Sequence, residues 1–261
     1  MFLRLLLLLS LVMSCDGKIN ASHTCFFNLS KKEAHLIGQK IWQNECGATT
    51  HKLLSWNVGE DFLSLGIGHF IWYPKDRQKQ FADTFPEFLL FLQKHHVSIP
   101  SWLNKERDCP WCSKQEFDQT KDPRKQSLKK LLTQTIELQM LFIAQRSQKA
   151  LANILRSLPL KEKKSFIRKI RLLAKTSNGK YAIIDYINFK GEGTTLKEQY
   201  ANQGWGLKQV IQNMPNKPTN PVQDFVKAAN LLLENRVANA PRDESRWLPG
   251  WKNRLSTYLK S

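Results

Sequence analysis

A glutamate stands where the pattern calls for an apolar side chain. Ala34, Ile37, Gly38, Ile41, Trp42 and Glu45 recur at i, i+3, i+4, i+7, i+8 and i+11, the stripe of one helix face, and the last member is a carboxylic acid. A carboxyl on such a face is desolvated, which raises its pKa toward the range a general acid needs. Cleaving a glycosidic bond requires such a donor at the leaving oxygen. It also requires a group across the sugar that activates water, attacks, or stabilises charge. Glu60 and Asp61 are the nearby carboxylates for that second role, with Ser64 as a group that could position water and Asn57 as a polar neighbour. A glutamate that only caps its helix or pairs with a lysine would leave the same pattern, so spacing alone leaves the role open.

The elements around these residues can be read from punctuation and period. Ser30 and Glu33 have capping-box spacing and start a helix, and Gly47 can end it in a left-handed conformation, which puts Glu45 in the last turn. From His51 to Tyr73 the helical period disappears. Leu53 to Asn57, a turn over Val58 to Asp61, and a Gly-containing strand from Phe62 to Tyr73 predict a small β-ribbon. Helices are predicted over Pro86 to His95, from a capping box at Ser113 and Glu116, and over one long segment from Arg124 to Leu158 bracketed by Pro123 and Pro159. Further helices follow over Lys161 to Ala174, Gly179 to Phe189, Leu207 to Met214, from Asn220-Pro221 to Val237, and around Trp251 to Leu259. The fold class is α+β, mostly helical, with the ribbon as one wall of a cleft and Glu45 at its base. Trp56, Phe70, Trp72, Tyr73 and Trp205 could stack on sugar faces there, or be core.

The order of helix-terminal Glu45, strand, turn and Ser64-Leu65-Gly66-Ile67-Gly68-His69 resembles the opening of the phage-type lysozymes, in the lysozyme-like superfamily. In that family a Thr-Ile-Gly-x-Gly-His strand follows the catalytic Glu. Ala182 to Gly193 resembles the family's central helix and the Gly-Glu segment after it, and Trp251-Lys252-Asn253-Arg254 resembles an Asn-Arg pair near the C-terminal helix. The likeness covers roughly residues 31 to 73 and 180 to 259, and residues 75 to 178 read as a helical insertion. It implies a muramidase-like enzyme that cleaves peptidoglycan or a related glycan, as a hydrolase or a lytic transglycosylase, with Glu45 as acid. Gly66, Gly68, His69, Trp72 and Trp205 would line the substrate site with Asn57. The family's ribbon carboxylate aligns with Asn57, whose amide cannot act as a base. Glu60 or Asp61 would substitute, or the chain is a glycan binder that does not cut.

Residues 1 to 14 carry Arg4 and a short apolar run, too short to span a bilayer, and read as an export signal. Leu11-Val12-Met13-Ser14-Cys15 resembles a lipobox, which would make Cys15 the lipidated first residue, residues 15 to 29 a tether, residues 30 to 261 one domain, and the location the periplasm or cell envelope. A net charge of +18 favours polyanionic partners. For an exported chain these are wall polymers and anionic lipid rather than nucleic acid. The basic run from Lys161 to Arg171 is a solvated face or a contact surface. Cys109-Pro110-Trp111-Cys112 has redox or zinc spacing, but without a βαβ pattern a disulfide or free thiols fit better. No zinc-protease, nucleophile-elbow or phosphate-loop motif occurs, so no metal or cofactor is expected.

Overall fold

The computed structural model describes residues 25–47, 49–119 and 121–260. The sequence-predicted export signal and the lipidation site at Cys15 lie outside them. The first helix, α1 (Lys31–Cys46), starts with the expected capping box: Ser30 Oγ accepts from Glu33 N, and Ser30 N donates to Glu33. Gly47, at φ 57°, ends it in the left-handed region.

Three short strands follow, β1 (Leu54–Ser55), β2 (Leu63–Leu65) and β3 (Phe70–Trp72), antiparallel in the order β1-β2-β3. Sequence reading placed one strand over Phe62 to Tyr73. The structure folds that stretch back on itself at Gly66 to His69, where Gly66 has φ 70° and His69 φ 46°. A left-handed glycine lets the chain reverse there, and the reversal converts a two-stranded ribbon into a three-stranded sheet.

Helices α2 (Phe85–Lys94), α3 (Lys114–Gln119) and α4 (Pro123–Gln134) pack around this sheet. Phe70, Phe88 and Phe142 form its aromatic centre, and Trp72 lies under Phe85, Trp102 and Trp111. The long helix expected from Arg124 to Leu158 is two, α4 and α5 (Ile136–Ser157), with the break at Thr135. Gln139 tolerates the break by donating to the Leu132 carbonyl at 2.6 Å and to Thr135 Oγ1 at 3.2 Å. The apolar period runs on through the break, so periodicity alone conceals it. Helix α5 buries Met140, Ile143, Leu151 and Ile154 and packs between α1 and the later helix α7 (Ser177–Lys190). The segment read as an insertion therefore supplies a helix of the core.

The second half of the chain packs around α7, which buries Tyr181 to Tyr186 without interruption. A helix buried on every side is enclosed by neighbours. Here those are α5, α6 (Leu160–Leu173), α8 (Leu207–Asn213) and α9 (Pro221–Ala238), with α10 (Leu248–Ser256) packed on α9. A hairpin of β4 (Gln199–Tyr200) and β5 (Gln203–Gly204) precedes α8. Among the described residues, no helix is long and apolar enough to cross a membrane. Cys109 and Cys112 carry free thiols, and burial pushes the Cys109 thiol up to about 12, far from thiolate chemistry.

Candidate functional site

Asp185 is the one acid in the buried run of α7, with no exposed surface. A charge so placed must be paired. Arg254 of α10 grips it with two hydrogen bonds, Nε to Oδ2 at 2.9 Å and Nη2 to Oδ1 at 2.8 Å, and Tyr258 donates to Oδ2 at 2.6 Å. Burial opposes the guanidinium charge, but Asp185 and Glu45 together hold the Arg254 pKa well above its ordinary value.

The same Nη2 reaches Glu45 Oε1 at 2.5 Å, and Asn188 of α7 donates to that oxygen at 3.3 Å. His69, from the turn between β2 and β3, brings Nδ1 to 3.6 Å from the other oxygen, Oε2. The Glu45 side chain keeps 12% of its surface exposed. Glu45 thus sits in the last turn of α1 as its periodicity predicts, between the sheet and the α7–α10 pair. Its seat is electrostatic, however, where the sequence suggested greasy neighbours.

On the sheet side, Glu60 lies in the connection between β1 and β2. Asn57 Nδ2 donates to Glu60 Oε2 at 3.0 Å, and Ser55 Oγ donates to Asn57 Oδ1 at 3.2 Å. Burial raises the Glu60 pKa, against the pull of Asn57 and of nearby His69. His69 thus faces Glu45 directly and acts on Glu60 electrostatically. Asn57, where the sequence resemblance expected a carboxylate, is thus a hydrogen-bond partner of Glu60.

Other expected site residues lie elsewhere. Asp61 is exposed and faces Arg77 at 4.0 Å. Ser64 is buried in β2, paired in register with Ser55 and Ile71. Gly66 and Gly68 serve interior packing rather than sugar contact: a Cβ on Gly66 would lie 2.3 Å from Gln139 Oε1, and one on Gly68 would lie 2.4 Å from the Phe70 ring. The expected aromatic wall is core. Trp72 has no exposed surface and donates to the Arg107 carbonyl, and Phe70, Tyr73, Trp56 and Trp205 are likewise buried. Trp205 lies under the Arg236 guanidinium at 4.1 Å. Those side chains carry the largest apolar areas in the chain, and core burial claims them first.

Glu192, beyond the end of α7, accepts from Asn153 of α5 at 3.3 Å and from Thr194 at 3.4 Å, and burial raises its pKa. Arg146 of α5, itself largely desolvated, senses both Glu192 and Glu87. Reading the sequence for chemistry missed Arg146, the pairing role of Arg254, and Gln139, because long-range pairing leaves no local period. One signal was present: Asp185 interrupts an unbroken apolar run, which demands a cationic partner somewhere in the chain. Lys190 was also missed. Its ammonium lies 3.3 Å from the Trp251 ring centroid and 4.1 Å from that of Phe189, whose ring also meets Arg254 at 4.3 Å. Among the described residues, no cluster of three His, Cys, Asp or Glu side chains is placed to hold a metal ion. Comparison of the chain with protein-family models, curated proteins and solved structures found no match.

Proposed function

We propose that this chain is a lysozyme-like, muramidase-type enzyme acting on peptidoglycan or a related cell-wall glycan, with Glu45 as its acid. The observation that carries the reading is the seat of Glu45: one oxygen is fixed by Arg254 and Asn188, and the other faces His69 on the sheet side. Fixing Oε1 leaves Oε2 to meet a glycosidic oxygen, and an oriented carboxyl is what proton transfer requires. Glu60, oriented by Asn57, would activate water or stabilise the developing positive charge. Asp61, exposed and turned to Arg77, is the weaker choice for that part. Export, with an acyl chain on Cys15 tethering the protein to the envelope, completes the reading and rests on residues 1 to 15 alone.

A second reading, a glycan-binding envelope lipoprotein that does not cut, is favoured by two observations. Glu45 is tightly ion-paired with Arg254, and the position aligned with the family's second carboxylate holds Asn57. Zymography on purified peptidoglycan separates the two. Clearing by wild type that falls about a hundredfold or more in Glu45→Gln supports the enzyme. Equal clearing by both proteins discards Glu45 as the acid. Retention on insoluble peptidoglycan without release of sugar fragments decides for the binder.

A further inference from the structure

Helix α6 presents two faces of opposite character. Phe166, Lys169, Ile170 and Leu173 face inward, where the Lys169 ammonium donates to the carbonyls of Ile211, Gln212 and Met214 and so closes the end of α8. Outward, Lys161, Lys164, Arg168, Arg171 and Lys175 recur at intervals of three and four residues, and all five are exposed. That spacing puts the first four in one row about 15 Å long, and Lys175 follows in the turn just beyond the helix.

Among the described residues, no carboxylate lies within ion-pair distance of any of the five. Glu162, the only acid of the helix, is instead engaged by Gln212 Nε2 at 2.7 Å. A helix face evolved only for solubility interleaves acids with bases, because like charges one turn apart repel. This row carries the repulsion without relief.

Apolar side chains border the row. Leu160, at its start, is 84% exposed. Ile167 and Leu172 line a groove of about 400 Å³ together with Lys164, Arg168, Arg171 and Lys175. Lys217 extends the positive surface along the other flank, in a second groove shared with Lys161 and Arg168.

We propose that this face of α6 docks on an anionic phospholipid surface. The cations meet the phosphate headgroups, and Leu160 enters the boundary between headgroups and acyl chains. The apolar border selects this occupant, since a soluble polyanion offers a row of charges but no medium into which an exposed leucine can be buried. The surface contains none of the groups assigned to glycan cleavage, so the two readings stand or fall separately.

Co-sedimentation of the full chain with vesicles tests it, using phosphatidylcholine alone and phosphatidylcholine with about 30 mol% phosphatidylglycerol, at about 0.1 M salt. Any contribution from the apolar N-terminal run is common to all variants and is read from the uncharged vesicles. Wild type is expected to prefer the anionic vesicles. Lys164→Glu/Arg171→Glu/Lys175→Glu, whose side chains make no hydrogen bond or ion pair among the described residues, is expected to reduce that preference about tenfold or more. Leu160→Ser is expected to reduce it about threefold. Equal partitioning of wild type and the triple variant overturns the proposal. It is also overturned if Leu160→Ser binds like wild type while soluble polyphosphate strips both from the vesicles, because the ligand is then a free polyanion and not a membrane.

Discussion

Two buried cations illustrate opposite solutions to the same desolvation problem. Arg254 answers it with partners, and removing the arginine leaves Asp185 buried beside Tyr258 alone. Arg254→Met is expected to destabilise the fold by about 3–5 kcal/mol, and Asp185→Asn in the same chain to restore part of the loss. Chemical denaturation of the single and double variants checks this, and additive losses would argue against direct pairing. Among the described residues, Lys190 has no carboxylate within ion-pair distance, and Glu244 supports its charge only from farther off. Burial, with Arg236 and Arg254 facing it, pulls its ammonium down to about 6, whereas lysine in an unfolded chain titrates near ~10.4. Between those values the unfolded state binds the additional proton, so stability rises with pH across the window, and the cost is fully present below about pH 6. Lys190→Met is expected to gain about 2 kcal/mol at neutral pH even after losing its contacts with Trp251 and Phe189, and to flatten the pH dependence above pH 6. Melting curves at several pH values between the two limits read this directly, and parallel slopes for both proteins would refute it.

At the level of elements, the turn between β2 and β3 holds His69 in place, and α5 holds the turn. Gln139 Oε1 accepts from Ile67 N at 2.8 Å while its amide nitrogen serves the end of α4. Gly66→Ala would drive a Cβ into that oxygen at a φ of 70°. The expected cost is about 2–4 kcal/mol, and, on the proposed function, activity toward glycan falls as His69 shifts. Gln139→Leu strands the Ile67 N–H in the interior, and a cost of about 1–3 kcal/mol is expected from thermal unfolding. Several elements were legible in the sequence because their signals are local. The α1 capping box, its Glu45-bearing stripe and the Gly47 stop all appear where spacing put them. The break at Thr135 and the reversal at Gly66 were not legible. Both depend on Gln139, a residue from another element that satisfies backbone groups no local pattern can account for. The aromatic wall failed for a related reason, since a stripe of Trp and Phe in a strand looks the same whether it faces sugar or α2.

Across the whole molecule, the candidate site draws on parts distant in the chain. Glu45 comes from the first helix, His69 and Glu60 from the sheet segment, Asn188 from α7 and Arg254 from α10. Sequence order alone showed the catalytic candidate and the ribbon but not what joins them, because 209 positions separate Glu45 from the arginine that holds it. Tyr258, close to the C-terminal end, completes the arrangement by donating to Asp185. Truncating the chain before residue 248 is expected to lower the melting temperature and, on the proposed function, to abolish clearing of peptidoglycan. A chain emerging from the ribosome thus makes Glu45 fully 209 residues before the arginine that restrains it. Until Arg254 is made, Glu45 lacks the ion pair that fixes Oε1, so a fragment released before that point carries the carboxyl without this restraint.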